Sequence, residues 1–236
     1  MPVSKETLAL LRKVRTSDVT DALDSMGLQA RYEMDPAMRP MIDGIRFAGL
    51  AHTYEYRVND RPLQPMSYEE FDTRQYKRNP DGSTAADALW RGPGGGAPDE
   101  VIVIDAKGTR AGILGSANTL AAQVLGTVGF VIDGVCRDSS ECMIQRTPVF
   151  STLRSPAHPM GRIINVTENA PIACAGVVVH PGDAVIGDDD GVVVVPAAIA
   201  DEVARRAVLI QAKDRPTRRR SYELLGLPLD ETVALE

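Results

Sequence analysis

The sequence predicts an α/β fold in which a mixed sheet packs against helices and a smaller β-layer. Three observations carry this. Residues 101–105 and 128–132 are apolar runs of strand length, as strands covered on both faces require. A glycine-bearing loop and an apolar helical stretch separate them, giving a strand–loop–helix–strand unit that suits a right-handed crossover. Short β-prone runs divided by turn residues then follow over 172–195. Of 236 residues, 44% are hydrophobic and 25% charged, the balance of a globular chain with a real core.

The elements read in order as follows. Helical spacing of apolar residues over 7–14 predicts a first helix, and Ser17 or Asp18 is placed to cap a second over 19–26, with Gly27 just past its end. Residues 28–45 are irregular and lead into a strand at 45–56. Residues 57–99 are polar and proline-rich, with too few apolar side chains for a second core; they read as an insertion holding one short helix at 68–76. After the strand at 101–105 come a loop at 106–115, a helix at 116–125 and a strand at 128–132 closed by Asp133-Gly134. A polar helix at 139–145 leads to a strand at 148–151. Four short strands at 172–175, 176–179, 184–186 and 191–195 suggest a smaller β-layer, and a helix at 198–212 carries Ile199, Val203, Ala207 and Ile210 along one face.

Charge and composition exclude several functions. A net charge of −6 and a pI near 5.2 offer no electrostatic footprint for nucleic acid or an anionic membrane. No apolar run approaches the roughly 20 residues that span a bilayer, and the first residues lack the apolar stretch of a signal peptide. Cys136, Cys142 and Cys174 have neither zinc-ligand nor disulfide-framework spacing. The expectation is a cytoplasmic protein without nucleic-acid or membrane partners.

The chemistry gathers at two places. Arg137 and Asp138 stand side by side just past a buried strand, at the carboxyl edge where open α/β sheets bind ligands. The loop Gly108-Thr-Arg110-Ala-Gly112-Ile-Leu-Gly115 delivers a helix start to the same edge. The N–H groups of Gly115, Ser116, Ala117 and Asn118 favour an anion there. An arginine adds carboxylate recognition, and an aspartate adds a hard oxygen for a divalent cation. Together they describe a site for a small 2-oxo acid.

The run from Gly115 through Gly126-Thr-Val-Gly129-Phe-Val-Ile-Asp133-Gly134-Val-Cys-Arg137-Asp138 resembles the signature of the RraA-like family, which includes class II 4-hydroxy-4-methyl-2-oxoglutarate / 4-carboxy-4-hydroxy-2-oxoadipate aldolases. A second block, from Cys174-Ala-Gly176 to Asp190-Gly191-Val-Val-Val-Val-Pro196, is similar to another stretch of that family. The resemblance implies an α/β/α-type sandwich with a mixed sheet, related to phosphohistidine swivelling domains and assembled as a homotrimer or hexamer. It implies one RraA-like domain over 1–236, with the insertion at 57–99 and a C-terminal helical extension from 198. It further implies that Arg137 binds the 2-oxo acid and stabilises an enolate, that Asp138 holds Mg²⁺ or Mn²⁺ largely through water, and that amides at Gly115, Ala117 and Asn118 take the carboxylate. The aldolases usually carry an acid after the loop glycine, where this chain has Ser116; an acid contributed by a neighbouring subunit is matched loosely by Asp214.

The remaining candidates read as structural. His180 ends a strand, while His52 and His158 are single and unpaired; Asp188-Asp-Asp190-Gly191 is a turn without the spacing of a calcium loop. Asp133 fixes the turn at Gly134, Asp183 bonds turn amides, and Arg218-Arg-Arg220 is a solvated helix end or a subunit contact. Lys107, on a glycine-flanked loop, lacks the apolar pocket a Schiff-base lysine needs. The expected function is metal-dependent lyase chemistry: cleavage of a C–C bond in a hydroxylated 2-oxo acid through a pyruvate enolate, with oxaloacetate decarboxylation as a second activity. Two alternatives stand beside it, a regulator that binds and inhibits an RNA-degrading endonuclease, and a lyase or hydratase on sugar-derived 2-oxo acids.

Overall fold

Alternation along the strands decides where each side chain goes. The computed structural model describes residues 2–59, 63–75, 77–81, 92–94, 96–230 and 232–234. The main sheet is built from β1 (Arg39–Pro40), β2 (Phe47–Val58), β3 (Glu100–Asp105), β4 (Gly112–Leu114), β5 (Gly129–Cys136), β6 (Val149–Arg154), β7 (Ile163–Glu168), β10 (Ala184–Asp188) and β11 (Gly191–Val195). A hairpin of β8 (Ile172–Cys174) and β9 (Val177–Val179) lies apart from it. The sheet runs β1-β6-β5-β3-β2-β10-β11, with β4 pairing β5 and β7 pairing β2. Its centre, β2-β3-β5-β6, is parallel, and its flanks are antiparallel.

The mixed α/β sheet is as expected, but it curls nearly into a barrel. Residues 32–34 bond along β11, where the Met34 amide donates to Val192 and the Val194 amide to Tyr32, and the same chain then continues into β1 beside β6. Val101, Val103, Val131, Val185, Val192 and Val194 therefore point into one shared interior with Phe47 and Phe150, whose rings meet edge to face at 5.2 Å. The alternate residues face outward. Ile102, Ile104, Phe130 and Ile132 pack towards α4 (Ser116–Val124) and α5 (Ser139–Ile144). Ala184, Ile186, Val193 and Val195 pack towards α1 (Lys5–Leu11), α2 (Thr16–Asp24) and α6 (Ala200–Leu225).

Several boundaries differ from the sequence reading. The second helix starts at Thr16, so Asp18 lies at its third position, where it pairs with Arg15 and accepts from the Arg15 amide. The expected smaller β-layer shrinks to β8 and β9, because β10 and β11 join the main sheet. Strand β5 continues through Asp133-Gly134 to Cys136, and the loop before α4 contains β4. Strand β7, unrecognised in the sequence, pairs β2. The short insertion helix is α3 (Tyr68–Gln75), with Tyr76 outside the described residues. Helix α6 runs on to Leu225, well past 212, and Gly226 ends it in the left-handed conformation. No helix among the described residues is long and apolar enough to cross a membrane.

The triple-aspartate turn is structural, as expected, and its role is specific. Asp188 accepts from the Thr16 amide at 2.8 Å and from the Thr16 hydroxyl at 2.6 Å, capping α2 from the β10–β11 turn. Asp188→Ala is expected to cost about 1–2 kcal/mol and to lower the thermal midpoint by roughly 3–6 °C, read by thermal unfolding. Asp133 departs from expectation. Its carboxylate accepts from the Ala175 amide at 2.8 Å, tying the β8–β9 turn to the sheet.

Candidate active site

Strands β4 and β5 are parallel, and both turn into helices at their carboxyl ends. Leu114 passes through Gly115 into α4, and Cys136 passes through Arg137 and Asp138 into α5. The Arg137 amide donates to the Leu114 carbonyl at 2.9 Å, which stitches the two exits together. Beneath them, Cys136 Sγ lies 3.3 Å from the carbonyl oxygens of both Leu114 and Arg137. Its hydrogen bond with Cys142, and then burial, push the Cys136 thiol up, so it remains a neutral donor.

Asp138 adopts the left-handed backbone (φ 54°, ψ 41°), which aspartate tolerates better than most residues. Its Oδ1 accepts from Arg137 Nε at 3.0 Å, and its Oδ2 accepts from the Ser116 amide at 3.2 Å. Two glycines make the room. A Cβ at Gly115 would stand 2.2 Å from Asp138 Oδ2, and one at Gly112 would stand 2.7 Å from Arg137 Cβ. The pair remains about one-third exposed and lines a cavity of about 200 Å³ together with Gly115, Ala117 and Asn118. The amides of Ala117 and Asn118 belong to the first turn of α4 and have no carbonyl of their own helix to bond. The Ser116 amide is engaged by Asp138 instead. Arg137, Asp138 and the glycine-loop residues thus meet at one edge, as the sequence places them.

The opposite wall was not foreseen. His158 and Pro159 come from the segment after β6, and Gln75 comes from the last turn of α3. The segment after β6 is held by the Gly112 amide, which donates to Ala157 at 2.9 Å. Phe71 of α3 sets its ring edge against His158 at 6.4 Å. His158 Nδ1 accepts from the Met160 amide at 3.2 Å, which assigns the ring proton to Nε2. Burial, then the charges of Arg137 and Arg162, hold His158 below the ordinary histidine pKa, so the ring is neutral at neutral pH. The only signal in the sequence was position, since the Pro-flanked His158 follows a parallel strand that ends on the same edge as Arg137.

Other expectations separate from the site. His52 is not unpaired; it lies between Glu100 at 3.3 Å and Glu168 at 3.5 Å. His180 ends its strand in the open, and Asp183 bonds the amides of His180 and Ala197, as read from the sequence. Asp214 sits on α6, 3.7 Å from Arg15 and 3.8 Å from Arg218, and Lys107 is not among the described lining residues.

A resident cation would have to suit this donor set. No group of three or more His, Cys, Asp or Glu side chains among the described residues converges on a metal position. Among the described lining residues Asp138 alone offers a carboxylate, and each of its oxygens keeps a lone pair beyond the bonds described. Such a donor fits Mg²⁺ or Mn²⁺, hard ions held by one or two carboxylates with water completing the shell.

One edge presents helix amides, a guanidinium and a carboxylate to one small cavity, a donor set suited to a compact anion. The family model for RraA-like proteins (Aldolase/RraA) matches residues 16–194, more than half of the chain, and the chain belongs to the RraA-like family. Over 127 residues it is 41% identical to a protein of Halalkalibacterium halodurans named "Putative 4-hydroxy-4-methyl-2-oxoglutarate aldolase", a stretch covering 52% of this chain and 59% of that protein. The chain thus spans about three-fifths of that relative's length. A Burkholderia mallei protein of the same name is 28% identical over 188 residues, 79% of this chain and 98% of that one. Among solved structures, RraAS2 of Streptomyces coelicolor, an unusual member of the RNase ES inhibitor RraA protein family, superposes with a TM-score of 0.70. It covers 92% of this chain and 99% of that one at 23% identity, a likeness of fold.

Proposed function

We propose that this chain is a divalent-metal-dependent lyase that cleaves a C–C bond of a hydroxylated 2-oxo acid through a pyruvate enolate. The observation that carries the reading is the meeting of Arg137, Asp138 and the first-turn amides of α4 in one cavity of about 200 Å³. The Ala117 and Asn118 amides bind the substrate carboxylate, where the α4 dipole adds to their attraction. Arg137 keeps its terminal N–H groups for the 2-oxo oxygen, because only Nε is given to Asp138. Asp138 holds Mg²⁺ or Mn²⁺, which when bound supplies Lewis-acid stabilisation of charge on the keto oxygen. As the bond between C3 and C4 breaks, the 4-hydroxyl loses its proton, C4 leaves as a carbonyl, and Arg137 faces the growing enolate charge. His158 does not take that proton, since its unprotonated nitrogen is occupied by the Met160 amide; the proton passes to water, and water returns a proton to C3 as the enolate becomes pyruvate.

The test is pyruvate release, followed by NADH oxidation with lactate dehydrogenase, across a panel of hydroxylated 2-oxo acids. Release is expected with Mg²⁺ or Mn²⁺, to vanish with a chelator and to return when the cation is restored. Metal-independent release, or none from any member of the panel, overturns the lyase reading; silence favours a binding protein of the same family.

A further inference from the structure

The cavity has two chemically different walls. One carries Arg137, Asp138 and the start of α4; the other carries Gln75 and His158. Among the described residues the second wall is neutral. The Met160 amide fixes His158 as an Nε2–H donor, and Gln75 Nε2 lies 3.4 Å from that nitrogen. Two N–H donors do not bond, and the nitrogen and oxygen of an amide exchange places by a half-turn of the group; the half-turn that sets the Gln75 oxygen against the ring leaves its NH₂ group for the cavity. The Gln75 oxygen also keeps a second lone pair. Arg162, the cation behind this wall, donates to the His158 carbonyl at 2.8 Å and is not among the described lining residues.

A hydroxyl matches such a wall, because it can accept from the NH₂ group and donate to the amide oxygen at once. A carboxylate only accepts. It would lose water without gaining a cation, and it would face the lone pair of the amide oxygen.

We propose that Gln75 and His158 read the distal end of the substrate and select a neutral, hydroxylated tail over a second carboxylate. The assignment rests on the lyase reading for the direction in which the substrate lies. It narrows the substrate class to 2-oxo acids whose tail carries hydroxyl groups. Gln75 and His158 act here as specificity residues, with no share in bond cleavage.

A matched pair tests this. The compounds 4,5-dihydroxy-2-oxopentanoate and 4-hydroxy-2-oxopentanedioate share a chain length and a 4-hydroxyl, and differ only in CH₂OH against carboxylate at the end. Each is scored twice with Mg²⁺ present, by displacement of oxalate, which mimics the pyruvate enolate and has no tail, and by pyruvate release. The wild-type protein is expected to bind the dihydroxy compound at least about tenfold more tightly, since a site built to bond a hydroxyl rejects a group that cannot satisfy it. Gln75→Leu is expected to bring the ratio near one, and Gln75→Arg to reverse it. A wild-type ratio at or below one overturns the proposal, as does a ratio that Gln75→Leu leaves unmoved. The expected ratio without pyruvate release from either compound overturns the lyase chemistry and keeps the tail assignment. Failure of oxalate and both 2-oxo acids to bind overturns both.

Discussion

Arg137→Ala is expected to lower kcat/KM for pyruvate release about 10³-fold, a loss of about 4 kcal/mol of transition-state stabilisation. The guanidinium is the one fixed positive charge among the described cavity-lining residues, and an enolate needs it most when its charge is greatest. The fold needs it little. The side chain is 29% exposed, and an ion pair of that kind contributes about 0–1 kcal/mol, so thermal unfolding is expected to shift by no more than about 3 °C. Asp138→Asn is the companion variant, because asparagine tolerates the left-handed backbone at φ 54° while removing the charge. Its expected signature is a matching loss of rate together with a raised Mg²⁺ requirement. Either variant retaining activity within tenfold of wild type, in steady-state kinetics on a cleaved 2-oxo acid, shows the pair to be misassigned.

Gly115→Ala isolates geometry from chemistry, since it deletes no functional group. Gly115 has extended backbone angles (φ −138°, ψ −179°) that alanine adopts without strain. The added methyl is the whole perturbation. It would stand 2.2 Å from Asp138 Oδ2, 2.9 Å from Asp138 Cγ and 3.1 Å from Arg137 Cγ. The carboxylate, 32% exposed, can swing outward to relieve the clash, and doing so breaks its bonds to Ser116 N–H and Arg137 Nε. Stability is therefore expected to fall by only about 1–2 kcal/mol, while misplacement on the scale of an ångström lowers kcat/KM about 10²-fold. Kinetics and thermal unfolding measured together check this. A fully active Gly115→Ala protein would mean that the crowding has no bearing on turnover.

Legibility in the sequence followed the range of the interactions. The buried runs of β3 and β5 were readable because burial on both faces leaves an unbroken apolar string. The Arg137-Asp138 pair and the loop before α4 were readable because each is contiguous in the chain. Strand β7 was not, because its less exposed face carries Asn165 and Thr167 while Ile164 and Val166 point outward, and it acquires its partner from β2, more than a hundred residues earlier. The far end of α6 was hidden by Pro216, which removes one helical hydrogen bond. Side chains four residues apart support the helix around it: Arg218 with Asp214 at 3.8 Å spans the proline, Arg215 with Gln211 at 2.9 Å precedes it, and Arg219 with Glu223 at 3.0 Å follows it.

The sequence by itself determined an α/β chain with a glycine-led helix start and an adjacent guanidinium and carboxylate, because periodicity, glycine placement and nearest-neighbour charge are all local properties. Only the tertiary structure decided the curl of the sheet, the capping of α2 by Asp188 and the far wall of the cavity. Those depend on residues distant in the chain: Gln75 and His158 stand 83 positions apart. Which of many polar side chains meet is set by packing of the whole core, and no local pattern encodes it.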